Sequence, residues 1–129
     1  MTCKTLGVGL VSAWLCSAVS GALAQGAPVD QYKQMGSIAA VAETCYGSKQ
    51  IPERLNPLVK QAVKANPALE PTMKALVAAY NDAYHYAIGA RRIWNGTQQS
   101  YSQQPVNCAN AEDVDLLKRM EHVVLSNMK

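Results

Sequence analysis

The sequence predicts an all-α domain, a small four-helix bundle closed by one disulfide. Three observations predict it. Apolar residues recur at three-then-four spacing, most clearly at Met73, Leu76, Val77, Tyr80, Tyr84, Ala87 and Trp94, which is the repeat of one helix face. No stretch alternates apolar and polar for a useful strand length. Once an N-terminal segment is set aside, two cysteines remain, Cys45 and Cys108, in a chain of 129 residues that has room for one domain.

That N-terminal segment is residues 1–24. It opens with Lys4, runs through the apolar stretch Leu6 to Val19 and closes Ala22-Leu23-Ala24. A basic start, an apolar centre and an Ala-x-Ala end are the parts of a cleaved secretory signal, with the cut expected after Ala24. A membrane anchor needs about 20 apolar residues, and glycines and serines dilute this run. Trp14 and Leu15 precede Cys16, where a lipidation site would have small residues. The single helical domain is therefore expected over residues 25–129, in an exported compartment, periplasmic or secreted. Cys3 and Cys16 leave with the signal. An even pair in an oxidising compartment reads as a Cys45–Cys108 disulfide. Its loop-closure entropy contributes about 4 kcal/mol, a large share of the roughly 5–15 kcal/mol that stabilises such a domain. The pair lacks the Cys-x-x-Cys spacing of a redox motif.

The elements follow in order. A first helix is expected over about Asp30 to Tyr46 after a frayed start, with Asp30 as its cap, Met35, Ile38, Ala42 and Cys45 on one face, and Gly47 as its stop. Asn56-Pro57 and Asn66-Pro67 bracket a short second helix with Leu55, Leu58, Val59, Ala62 and Val63 on its apolar side; Pro52 offers an earlier start. Glu70-Pro71 opens the central helix, which Asn95-Gly96 ends. As the longest element it is expected to touch all the others. Gly89 inside it costs about 1 kcal/mol relative to alanine and marks close packing or a bend. Thr97 to Asn107 is polar and Gln-rich and reads as an exposed loop. The last helix spans about Ala111 to Asn127. Asn110 caps it, acidic residues favour its first turns, and Val114, Leu117, Met120, Val124 and Met128 form its buried stripe.

The function classes are narrowed mainly by what the residues do not assemble. The formal net charge is +3, of which Lys4 carries one unit, leaving +2 on the exported chain. Basic residues are scattered singly or in pairs such as Arg91-Arg92 and Lys118-Arg119, without the patch that nucleic acid or an anionic membrane surface needs. His85 and His122 are the two histidines. Asp82 stands one turn before His85, a local contact on a polar face rather than a metal set. Glu43, Glu53, Glu70 and Glu121 fall on separate elements, so spacing pairs no carboxylates for acid–base chemistry. No nucleophile motif or phosphate loop is present. Asn95-Gly96-Thr97 matches a glycosylation sequon, which has meaning only in a eukaryotic secretory route. The chain therefore reads as a non-enzyme without metal or cofactor.

What stands out is aromatic and basic character beyond the needs of a core. Tyr84, His85, Tyr86, Arg91, Arg92, Trp94 and Tyr101 are the candidate partner-binding residues, since tyrosine, tryptophan and arginine suit protein interfaces. Two resemblances bear on the partner. The stretch Ala42-Glu43-Thr44-Cys45-Tyr46, and Cys108 through Leu117 at the head of an acidic-capped last helix, resemble the periplasmic immunity proteins of type VI secretion amidase effectors. That resemblance implies inhibition by plugging an enzyme cleft, with a homodimer as the working form. Met35 early in the first helix and His122 late in the last are placed similarly to the axial ligands of b-type cytochromes built as periplasmic four-helix bundles. That placement implies the alternative of a small-ligand or haem-type carrier.

Overall fold

The structure, a computed structural model, describes residues 26–128; the expected signal, residues 1–24, lies outside them. Among the described residues four helices form: α1 (Gly26–Tyr46), α2 (Gln50–Ala65), α3 (Glu70–Ala90) and α4 (Ala111–Ser126). A short 3-10 turn, Pro67–Leu69, joins α2 to α3. An antiparallel hairpin of β1 (Trp94–Asn95) and β2 (Ser100–Tyr101) stands between α3 and α4. The mostly helical architecture and the Cys45–Cys108 disulfide, with a Cα–Cα distance of 4.9 Å, agree with the sequence reading.

The centre of the fold is α1, not the longer central stretch Pro71–Trp94. It packs most extensively along α3 and also contacts α2, α4 and β1, whereas α3 and α4 have no substantial contact. The physical reason is in its composition. Every residue from Met35 to Ala42 is buried, and none is charged. A helix apolar on all sides belongs inside. Gly36 sets how closely α3 approaches. A Cβ on Gly36 would collide with the Tyr80 carbonyl oxygen and lie 3.0 Å from its carbonyl carbon. On α3 the buried residues Met73, Leu76, Tyr80, Ala83 and Ala87 keep the three-then-four spacing, and small Ala83 and Ala87 continue the close contact.

Element ends differ from the sequence expectation for identifiable reasons. Asp30 lies in the second turn of α1 rather than capping it, because its carboxylate is engaged by the hairpin. The second helix starts at Gln50, near the alternative start at Pro52, so Pro57 is internal. An internal proline forfeits an amide hydrogen bond and costs about 3 kcal/mol. Burial of Ile51 and Leu55, one turn apart, holds the extra turns in place. At Ala90 the third helix stops: Arg91 adopts the left-handed conformation (φ 55°, ψ 39°) and its N–H caps the Ala87 carbonyl. Ile93 and Trp94 therefore leave the helix. Gly47 ends α1 as expected, at φ 69°, and lets the N–H groups of Gly47 and Ser48 reach the carbonyls of Glu43 and Ala42. The last helix matches closely, with the Asn110 side chain accepting from the Asp113 N–H at 2.9 Å.

Thr97 to Asn107 is largely exposed, as expected, but it carries the short strand Ser100–Tyr101 and is tethered along its length. The Ser102 N–H donates to the Ile93 carbonyl at 2.9 Å and the Val106 N–H to the Arg91 carbonyl at 2.7 Å, so the chain doubles back beside residues 91–95. Asn95 turns it by accepting the N–H groups of Thr97 and Gln98. Gly89 is not a packing site: a Cβ there would meet open space. The two helical glycines thus predict opposite outcomes. In chemical denaturation Gly36→Ala should lose about 3 kcal/mol or more, since backbone stands in the way. Gly89→Ala should gain about 0.5–1 kcal/mol.

Candidate functional site

The hairpin is held on α1 chiefly by Trp94 and Gln99. Trp94 is 8% exposed. Its indole Nε1–H donates to Asp30 Oδ1 at 3.1 Å, and its backbone N–H donates to Ser37 Oγ at 3.0 Å. Ser37 is itself fixed by donating to the Gln34 carbonyl. The Lys33 ammonium sits 4.3 Å from the indole centroid, a cation–π contact. The other Asp30 oxygen accepts from Gln99 Nε2 at 2.7 Å. One carboxylate therefore fixes both the base and the tip of the hairpin, and Gln98, Ser100 and Thr97 stand exposed at that tip.

Of the seven candidate partner-binding residues, three form one cluster. Tyr86, 43% exposed, packs against Tyr101 with ring centroids 4.1 Å apart and planes tilted by 36°, and Tyr101 meets the Trp94 ring edge-on at 5.0 Å. Tyr84 and His85 form a second group. The Tyr84 hydroxyl donates to Glu43 on α1, and the exposed His85 ring meets Tyr84 edge-on rather than bonding Asp82. Arg91 has a structural task, donating from Nε to the Val106 carbonyl at 3.1 Å. Arg92 is half-buried beside it.

A cleft of about 810 Å³ lies between α1 and the hairpin, lined by Asp30, Gln31, Gln34, Trp94, Gln98 and Gln103 among others. Its amide-rich wall offers donors and acceptors to a peptide or sugar, and Gln31 Oε1 is buried without a hydrogen-bond partner. The haem-type pair is not assembled into a shared site. Met35 lines a separate groove between α1 and α4, of about 370 Å³, whose lining does not include His122. His122 is exposed, with Nε2 3.4 Å from the Ser126 hydroxyl. Among the described residues no group of three or more His, Cys, Asp or Glu side chains could hold a metal ion.

Sequence reasoning missed a second buried polar knot. Glu121 of α4 is 5% exposed. Its carboxylate accepts from the Tyr46 hydroxyl at 2.8 Å and from the Ser48 hydroxyl, which ties the end of α1 to α4 beside the disulfide. The signal was present: Glu121 continues the Leu117–Val124 stripe at four-then-three spacing, a buried register for a charged residue. No family model, curated protein or solved structure matches this chain. Among the described residues no helix is long and apolar enough to cross a membrane.

Tyr32, Tyr46, Tyr80 and Tyr84 share one electrostatic property. Donation to the Glu43 carboxylate, aided by burial, raises the Tyr84 phenol to about 12. Burial alone lifts Tyr32 to about 12. Tyr80 is raised by burial, and Tyr46 by burial and then by its bond to Glu121. In the unfolded chain these phenols ionise near 10, so the unfolded state loses its protons first as pH rises. Their contribution to stability should be intact below pH about 10 and disappear through about 12. Denaturation midpoints measured beside a phenolate absorbance titration check this. Separately, Asp30→Ala should cost about 1–3 kcal/mol by orphaning the buried indole N–H. It should also expose Trp94, read as a red-shifted emission in the 25–129 chain, where it is the single tryptophan.

Proposed function

We propose that the protein is an exported, non-catalytic binding protein that acts on another protein. In its most concrete form it is an immunity or inhibitor protein for a secreted toxin or cell-wall hydrolase. One observation carries this reading: a pre-organised hairpin whose polar tip is braced by Asp30 and whose flank presents the paired rings of Tyr86 and Tyr101. A loop already held in its binding shape loses little freedom on association. Aromatic anchors ringed by amide side chains are the composition of protein-recognition surfaces. The disulfide supports an oxidising, exported compartment, periplasmic or extracellular. An inhibitor works by occupancy, so it needs shape and anchors rather than paired acids and bases. The resemblance of residues 42–46 and 108–117 to amidase immunity proteins points to the same class of partner.

The test places a photo-crosslinking residue at Gln98, with one at Gln61 on α2 as comparison. The partner captured from Gln98 should be an exported hydrolase or toxin, inhibited at a one-to-one ratio by the purified protein. Tyr86→Ala and Tyr101→Ala should each weaken that inhibition by about tenfold or more, the scale of interface anchors. Capture from both positions alike, or inhibition indifferent to both tyrosines, refutes the proposed surface.

A further inference from the structure

We propose that the groove between α2 and α3 is a binding site for a single-chain anionic amphiphile, a molecule of the fatty-acid class with one alkyl tail and one carboxylate. This site is separate from the hairpin and does not rest on the protein-binding reading. Its origin lies in how the two helices part. The short turn Pro67–Leu69 joins them, but their direct contact is sparse compared with that of α1 and α3. An open groove of about 660 Å³ remains, within the roughly 300–1,000 Å³ range of small-molecule sites.

The lining has two chemistries, and they are ordered. Val59 and Val63 stand one turn apart on α2, and Met73 and Val77 one turn apart on α3. These two apolar rows make the floor. Methionine gives such a floor a shape that adapts to an alkyl chain. Lys60 and Lys64 follow the two valines on one rim, and Lys74 stands on the other. Glu70, one turn before Lys74, is the one acidic residue in the lining. Lysine stems extend an apolar wall while their ammonium groups stay in water. Among the described residues none of these three ammonium groups is hydrogen-bonded or ion-paired. Cationic heads above an apolar floor, with no internal counter-charge satisfying them, complement a tail that ends in an anion.

Size separates this occupant from a protein. Ten residues line the groove, whereas a stable protein interface engages about 20–30 residues a side.

The probe is laurate below its micelle concentration, titrated calorimetrically into the full chain and followed by methyl NMR. Dodecyltrimethylammonium, with the same tail and opposite charge, is the comparator. Laurate should bind and shift the Val59, Val63 and Val77 methyls, and the cation should bind at least about tenfold more weakly. Each exposed ion pair contributes up to about fivefold, so Lys60→Gln/Lys64→Gln/Lys74→Gln should lose about tenfold in laurate affinity. These lysines are exposed, and an unchanged thermal midpoint verifies folding. Val77→Asp, on the partly exposed floor, should lose binding with all three lysines in place. Absence of laurate binding overturns the proposal. So does equal binding of anion and cation, or shifts confined to the α1–α4 groove near Leu116 and Val123. Preference for an acidic amphipathic peptide or for anionic vesicles over laurate also overturns it.

Discussion

The close approach of α1 and α3 at Gly36 and Tyr80 is the constraint on which the rest of the molecule depends. Because no side chain separates the two backbones there, the flanking small residues Ala83 and Ala87 of α3 and Ala39, Ala40 and Ala42 of α1 become buried. Interiors are packed nearly as densely as organic crystals, so a contact of this kind fixes the relative placement of two helices narrowly. That placement puts the end of α3 beside the beginning of α1. The chain leaving α3 then finds Asp30 and Ser37 within reach of Trp94. The groove between α2 and α3 is the counterpart: α3 is held against α1, so α2 meets it only sparsely.

Much of the fold is legible in the sequence, and the illegible part has a physical pattern. Local chemistry reads well. The Asn110 cap, the Gly47 stop and the α3 stripe all follow from properties of single residues and short spacings. Tertiary competition reads poorly. Pro57 looks like a helix start until the burial of Ile51 and Leu55 outweighs it. Asp30 looks like a cap until Trp94 and Gln99 claim its oxygens. The Gln-rich segment has no helical or strand period because its order comes from being tethered rather than from a buried face. The site follows the same rule. Tyr86, Trp94 and Tyr101 could be named as aromatic excess, but their ring contacts depend on a hairpin the pattern does not announce. The lysine-rimmed groove is invisible along the chain, because its cations are divided between α2 and α3.

Tyrosine takes the place that phenylalanine, absent from this chain, occupies in many cores. The substitution does more than fill volume. Tyr46 and Tyr84 each bury part of a ring and pass a proton donor to a carboxylate on another helix, Glu121 and Glu43. A carboxylate between helices is costly when unpartnered and specifying when satisfied. These pairs fix the rotation of α3 and α4 about α1, which apolar packing alone leaves loosely determined. Tyr80 is the exception, its buried hydroxyl lacking a hydrogen-bond partner. Its contribution is the ring, stacked near Tyr84, and the backbone carbonyl that Gly36 meets.

Cys45 and Cys108 lie 63 positions apart, and the contacts that bring them together reach outside the segment they enclose, back to Asp30, Gly36 and Ser37. The α1–α3 contact, the left-handed turn at Arg91, the Trp94 dock and the return of Val106 to Arg91 must all be in place before the two sulfurs meet in this geometry. Closure of the bond is therefore a readout of long-range topology and not of any local segment. A thiol-reactive label applied during refolding would count completed molecules directly, as a turnstile counts visitors who have already walked the whole route.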